Sequence, residues 1–146
     1  MKTDNDGGPA VRRLDMGTIL VVEDSQEDAE AIQRALSRSH PMLRLEFVDR
    51  GEGVADRLLA AETPPGIVLL DLNMPGMSGH DVLTAVRAHP GLSAVRIVVF
   101  TTSTAPAEED ACHAAGADSY VYKPLNFDLF RTVLTGAVDY WLRPSG

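Results

Sequence analysis

Three apolar runs, ILVV at 19–22, IVLL at 67–70 and IVVF at 97–100, constrain this chain more than any other feature. A strand with one wet face alternates polar and apolar residues. An unbroken run of this length, flanked by turn residues, reads as a strand buried on both faces, the mark of a parallel sheet. Helical patterning fills the intervals. SQEDAEAIQRALSRS opens with Ser25, a residue suited to an N-cap, and spaces Ala29, Ile32 and Leu36 on one face. GVADRLLAAE, SGHDVLTAVRAHPG and PAEEDACHAAGA follow, the last closed by Gly116, and a final helix runs from about Asn126 to Leu142. With LRLEFV and SYVYK as the remaining strands, the pattern is βα repeated five times. The fold class is therefore α/β: a five-stranded parallel sheet whose right-handed crossovers put helices on both faces.

The 146 residues suffice for one domain. Residues 1–16 mix Asp, Asn, Gly and Pro without an apolar period and read as a flexible arm, leaving 17–146 as the domain, with no room for an output domain after Leu142. Twenty-one acids against 13 bases, a net charge of −8, argue against nucleic-acid binding. No run is long enough to span a membrane and the N-terminus lacks a secretory core, so no membrane association is expected. A single cysteine, Cys112, excludes an internal disulfide and fits a reducing cytoplasm.

The run at 67–70 ends on Asp71, and a carboxylate at the rim of a core is costly unless its charge is offset. In open α/β sheets the functional crevice lies beyond the carboxyl ends of the strands. The residues there are Glu23 and Asp24 after the first strand, Asp71 after the third, Thr101 and Thr102 at the fourth, and Lys123 after the fifth. Three carboxylates and one ammonium leave a net −2, which one divalent cation neutralises. Hard oxygen ligands without a His/Cys cluster suit Mg²⁺. With a cation, a lysine and a hydroxyl beside it, one carboxylate can accept a phosphoryl group.

VVED, LLDLNMPGMSG, VVFTT and YVYKP, in that order, resemble the CheY-like receiver domain of two-component response regulators over about residues 17–142. The resemblance implies a flavodoxin-like sheet of order 2-1-3-4-5 and assigns roles by position. Asp71 is the phosphoacceptor. Asp24 and Asp71 are metal ligands, with Glu23 acting through water and Asn73 through its backbone carbonyl. Thr101 and Lys123 engage the phosphoryl group, Tyr120 is the aromatic switch with Tyr122 as a competing aromatic nearby, and a cis bond precedes Pro124. Such a domain is a signalling switch rather than a metabolic enzyme, catalysing only its own phosphorylation and dephosphorylation.

EDSQED, FTTS, KPLNFDLF and the ending VDYWL are similar to the single-domain regulators partnered with bacterial phytochrome histidine kinases. That likeness implies a sensor histidine kinase as partner, with light as the input. In the last helix Phe127, Phe130, Leu134, Val138 and Trp141 form one stripe, and Leu129, Val133 and Tyr140 a second. One stripe docks on the sheet, so the second is assigned to a homodimer, against the alternative of a helix buried over a wide arc. Glu27, Asp28 and Glu30 are read as favourable charge at a helix N-terminus with no further role, and the four histidines as surface residues without a positioned partner. Three rival functions compete: an unphosphorylated adaptor, a nucleotide or flavin binder, and an aspartyl-phosphate phosphohydrolase. The binder is opposed by the acidic EDSQED loop. The hydrolase is opposed by Asn73, which stands where a general acid is needed.

Overall fold

The computed structural model describes residues 12–143. Ten regular elements alternate along it: β1 (Asp15–Val22), α1 (Gln26–Ser39), β2 (Arg44–Val48), α2 (Val54–Ala60), β3 (Pro65–Leu70), α3 (Gly79–Arg87), β4 (Arg96–Thr101), α4 (Pro106–Ala114), β5 (Ser119–Tyr122) and α5 (Phe127–Leu142). All neighbouring strands pair in parallel, in the order β2-β1-β3-β4-β5. The order reverses between β1 and β3, which places the crevice at their carboxyl ends.

Strand period 2 divides the apolar runs between two cores. Leu20, Val22, Val68, Leu70, Ile97 and Val99 meet Val54, Leu58, Val82, Leu83, Val86 and Cys112 of α2, α3 and α4. Ile19, Val21, Ile67, Leu69, Val98 and Phe100 meet Ile32, Leu36, Phe130, Leu134 and Val138 of α1 and α5. The three runs are thus apolar at every position because both faces of the sheet are covered. Each helix that positions the site has a visible start signal. Ser25 caps α1 by accepting from the Asp28 N–H at 3.2 Å, and Asn126 caps α5 by accepting from Leu129 at 3.1 Å. Ser78 and Asp81 form a reciprocal capping box at α3.

Two expectations are corrected. Strand β1 begins at Asp15, inside the segment read as an arm. The Asp15 N–H donates to the Pro64 carbonyl at 2.7 Å, and the Arg12 guanidinium donates to the Ala61 carbonyl at 2.6 Å. This start depends on main-chain pairing, which needs no apolar pattern. Residues 1–11 of that segment lie outside the described residues. Among the described residues every peptide bond is trans, including the one before Pro124. The trans form is the lower in free energy for an X–Pro bond by about 0.5–1 kcal/mol. Here it is compatible with the Lys123 N–H donating to the Thr101 carbonyl at 2.6 Å.

Candidate functional site

Main-chain bonds carry the five expected residues to one edge. The Asp71 N–H donates to the Val22 carbonyl at 3.1 Å, tying the end of β3 to the end of β1, and Glu23 is held to β2 through the Val48 carbonyl at 3.0 Å. The Lys123–Thr101 bond joins β5 to β4 in the same way. Glu23, Asp71, Thr101 and Lys123 are all buried, whereas Asp24 and Asn73 are exposed. The carboxylates of Glu23, Asp24 and Asp71 each offer an oxygen within 4.8 Å of the others, a spacing that fits a shared divalent cation. An open groove of about 680 Å³ between α1 and the β2–α2 loop reaches Glu23 and Asp24 from solvent, with Arg50 and Arg57 in its wall.

The charges in this edge are unequal to one another. The Lys123 ammonium donates to Glu23 Oε1 at 2.9 Å and to Asp28 Oδ2 at 2.8 Å, and it lies 3.7 Å from Asp71 Oδ1. Burial opposes its charge, but these three carboxylates outweigh burial and raise its pKa. Burial likewise lifts the Glu23 carboxyl from 4.5 to about 7, against the lowering effect of Lys123. It raises Asp71 too, with the Asp24 charge adding to it and Lys123 and the Asn73 N–H opposing. A buried carboxylate pair sharing one ammonium is short of positive charge, which is the physical reason such a site takes up a cation.

Thr101 Oγ1 accepts from the Ser103 N–H at 3.3 Å, and the Tyr120 hydroxyl donates to the Ser103 carbonyl at 3.0 Å. Thr101 and Tyr120 therefore hold the same β4–α4 loop. Tyr120 is half-buried against the α3 and α4 core, whereas Tyr122 is 45% exposed, which separates the two aromatic candidates. Residues 19–135 match the response regulator receiver domain family.

The chain belongs to that family.

Relatives agree with the assignment. The chain is 33% identical to the probable methanogenesis regulatory protein FilR2 of Methanothrix harundinacea, covering 94% of this chain and 91% of that one. It is 32% identical to response regulator Rcp1 of Synechocystis, over 85% and 88%. Among solved structures, the phosphorylated cyanobacterial phytochrome response regulator RcpA superposes with a TM-score of 0.82 at 26% identity, over 90% and 98%. The Mn²⁺-bound form of Rcp1 superposes at 0.72 and 27%, over 89% and 97%. The receiver fold and the acidic edge of this chain are thus those of a two-component signalling domain, and an acidic site fit for a divalent metal is part of it.

Two residues depart from the sequence reading. Asp28, assigned only to the helix N-terminus, reaches the buried Lys123. The signal available was its place one turn beyond Ser25, on a helix that starts at the acidic edge. His40, read as a surface residue without a partner, is half-buried with its Nε2 2.6 Å from Asp139 Oδ1, because α1 packs on α5. Among the described residues no helix is long and apolar enough to cross a membrane.

Proposed function

We propose that this receiver is a phosphorylation-dependent switch of the cytoplasm, taking a phosphoryl group from a sensor histidine kinase onto Asp71 in the presence of Mg²⁺. The observation that carries this reading is the placement of Asp71 at the end of β3, with Glu23 and Asp24 in ligand reach and Lys123 3.7 Å away. Asp24, Asp71 and the Asn73 carbonyl would hold the ion, with Glu23 acting through a water. When bound, Mg²⁺ supplies positive charge to the transferring oxygens. A carboxylate oxygen of Asp71 forms the new O–P bond as the N–P bond of the phosphohistidine breaks, and the imidazole leaves with the electron pair. The product brings roughly −1.5 to −2 of charge, by analogy with other phosphorylated side chains, and Lys123 turns to meet it. Thr101 donates its hydroxyl to the phosphoryl group, and because the same oxygen accepts from the Ser103 N–H, its movement draws in the loop that Tyr120 holds. RcpA is described as a phytochrome response regulator, and that likeness supports a phytochrome-type kinase as donor. The activity is self-directed: the domain transfers phosphate to itself and hydrolyses it slowly.

The test is a phosphate-affinity gel of the pure protein with acetyl phosphate. A slower band that needs Mg²⁺ and is lost to hydroxylamine is the expected result. No band with acetyl phosphate or with a kinase, together with no beryllofluoride binding by the native protein in solution, would favour the unphosphorylated adaptor instead.

The C-terminal helix adds a partner to this reading. Phe130, Leu134 and Val138 are buried against the sheet with Phe127 and Trp141 alongside. Leu129 and Tyr140 stay 57% and 58% exposed, so the second stripe is free to form a homodimer through α5. Sedimentation at micromolar concentration is expected to give a dimer that Leu129→Ser with Tyr140→Ser converts to monomer. A wild-type monomer, phosphorylated or not, would overturn the dimer.

A further inference from the structure

Lys123 has three N–H donors, and two are committed to carboxylates other than that of Asp71. Glu23 is one, and it belongs to the cation cluster with Asp24 and Asp71. Asp28 is the other, and it does not. Its backbone N–H is satisfied by Ser25 at the start of α1, leaving its half-buried side chain to cross to an ammonium 95 residues away at 2.8 Å. Charge at a helix N-terminus explains an acid in this turn but not that contact. A solvated acid gains little by ordering itself onto a lysine unless the contact lies in a dry place, and Lys123 is only 4% exposed.

We propose that Asp28 is a positioning residue that acts through Lys123, anchoring the ammonium in the unphosphorylated state and setting how readily it turns to a phosphoryl group on Asp71. The inference rests on the reading of Asp71 as phosphoacceptor. Glu23 and Asp28 hold Lys123 Nζ at 2.9 and 2.8 Å, nearly 1 Å closer than Asp71 does. Since an ammonium can make only three short bonds, pairing with several phosphoryl oxygens must cost it one of these contacts. Glu23 lies in the same carboxylate cluster as Asp71, toward which the ammonium turns, whereas Asp28 lies outside it, so the bond to be given up is the one to Asp28. Its strength opposes phosphorylation and favours return to the resting arrangement.

The experiment measures beryllofluoride affinity in saturating Mg²⁺ by the quench or enhancement of Trp141 fluorescence, or calorimetrically where the tryptophan is silent. Asp28→Asn is expected to tighten beryllofluoride binding roughly fivefold, the scale of one partly exposed charged contact, and to slow loss of phosphate from the acetyl-phosphate-treated protein by a similar factor. Asp28→Glu should return both toward wild type. Glu27→Gln removes an equal charge from the same exposed turn, but its carboxylate is not among the three that pair with Lys123. It should change neither quantity by more than a small fraction. In a Lys123→Ala background the Asp28→Asn effect should vanish, since a double-mutant cycle isolates an effect transmitted through the lysine. Unchanged or weaker binding in Asp28→Asn overturns the proposal. So does an equal gain from Glu27→Gln, or a gain that survives without Lys123, because either reduces the effect to distant charge. Wild-type protein that binds no beryllofluoride, or binds it equally well as Asp71→Asn, overturns the receiver chemistry and this inference with it.

Discussion

Asp71→Asn is expected to abolish phosphoryl acceptance, by at least a thousandfold, since an amide is no nucleophile toward phosphorus, while making the metal-free protein more stable. The gain in stability comes from the buried charge that the amide removes. Burial raises the carboxyl pKa of Asp71 and lifts that of Glu23 from 4.5 to about 7. A carboxyl whose pKa is higher folded than unfolded holds its proton more tightly in the native state. Native protein then binds more protons than unfolded protein, so stability falls as pH rises. For Glu23 the decline begins near the unfolded value of 4.5 and is complete above about 7, a loss on the order of 3 kcal/mol if borne by that group alone. Lys123 contributes in the same sense only at much higher pH, because its pKa is raised from 10.5. Asparagine at 71 removes one buried charge and also the repulsion it exerts on Glu23. In EDTA at pH 8 the variant should therefore gain on the order of 1 kcal/mol, and its denaturation midpoint should decline less between pH 5 and 8. Mg²⁺ should stabilise wild type far more than the variant. Urea melts at both pH values, with and without the ion, check all three statements. A less stable variant at pH 8 would mean that the Asp71–Lys123 attraction outweighs the cost of burial.

The doubly covered sheet was legible because each of its three central runs is apolar at every position, a pattern only two covered faces require. The acidic edge was legible for a related reason. Asp71, Glu23 and Lys123 stand where apolar strands end, so topology alone fixes their common side. Contacts made across helices were hidden. Asp28 meets Lys123, and His40 meets Asp139, only because of where α1 settles beside α5 on the sheet, and side-chain reach over 95 or 99 residues leaves no local trace. Arg87 was hidden in the same way. Its guanidinium donates to the carbonyls of Gly116, Leu92 and Val95 and to Asp118, whose carboxylate also accepts from the Ile97 N–H. Nothing in an arginine at the end of a helix announces that it fastens the two loops leading into β4 and β5. The start of β1 at Asp15 escaped because backbone pairing is blind to hydropathy.

Gly79 shows how a residue without a side chain sets the position of the phosphoacceptor, and its replacement by alanine is the largest stability loss expected of a one-carbon change here. Helix α3 begins at Gly79 against the segment that leaves β3, with the Gly79 N–H donating to the Leu72 carbonyl at 3.1 Å. A Cβ at this position would drive into the Asp71 carbonyl oxygen and stand 2.7 Å from Leu72 Cα and 2.9 Å from the Asp71 carbonyl carbon. Those atoms are backbone and cannot swing aside, so either α3 retreats or Asp71 moves. Alanine is the better helix former, by about 1 kcal/mol in a helix interior, but overpacking against fixed atoms costs roughly 3 kcal/mol and wins. The expected fall in melting temperature is roughly 10 °C. Phosphorylation by acetyl phosphate should slow at least tenfold even where the protein stays folded, because the carboxylate is displaced from Asp24 and Lys123. Gly136 is the control. It lies in α5, exposed, with nothing within 4 Å of its would-be Cβ, so Gly136→Ala should raise stability by about 0.5–1 kcal/mol and leave phosphorylation unchanged. One substitution chemistry with opposite signs at two glycines separates close approach from helix propensity. Equal behaviour of the two variants would show that the β3–α3 junction is loose enough to absorb a methyl group, and that Asp71 is held by its bond to Val22 alone.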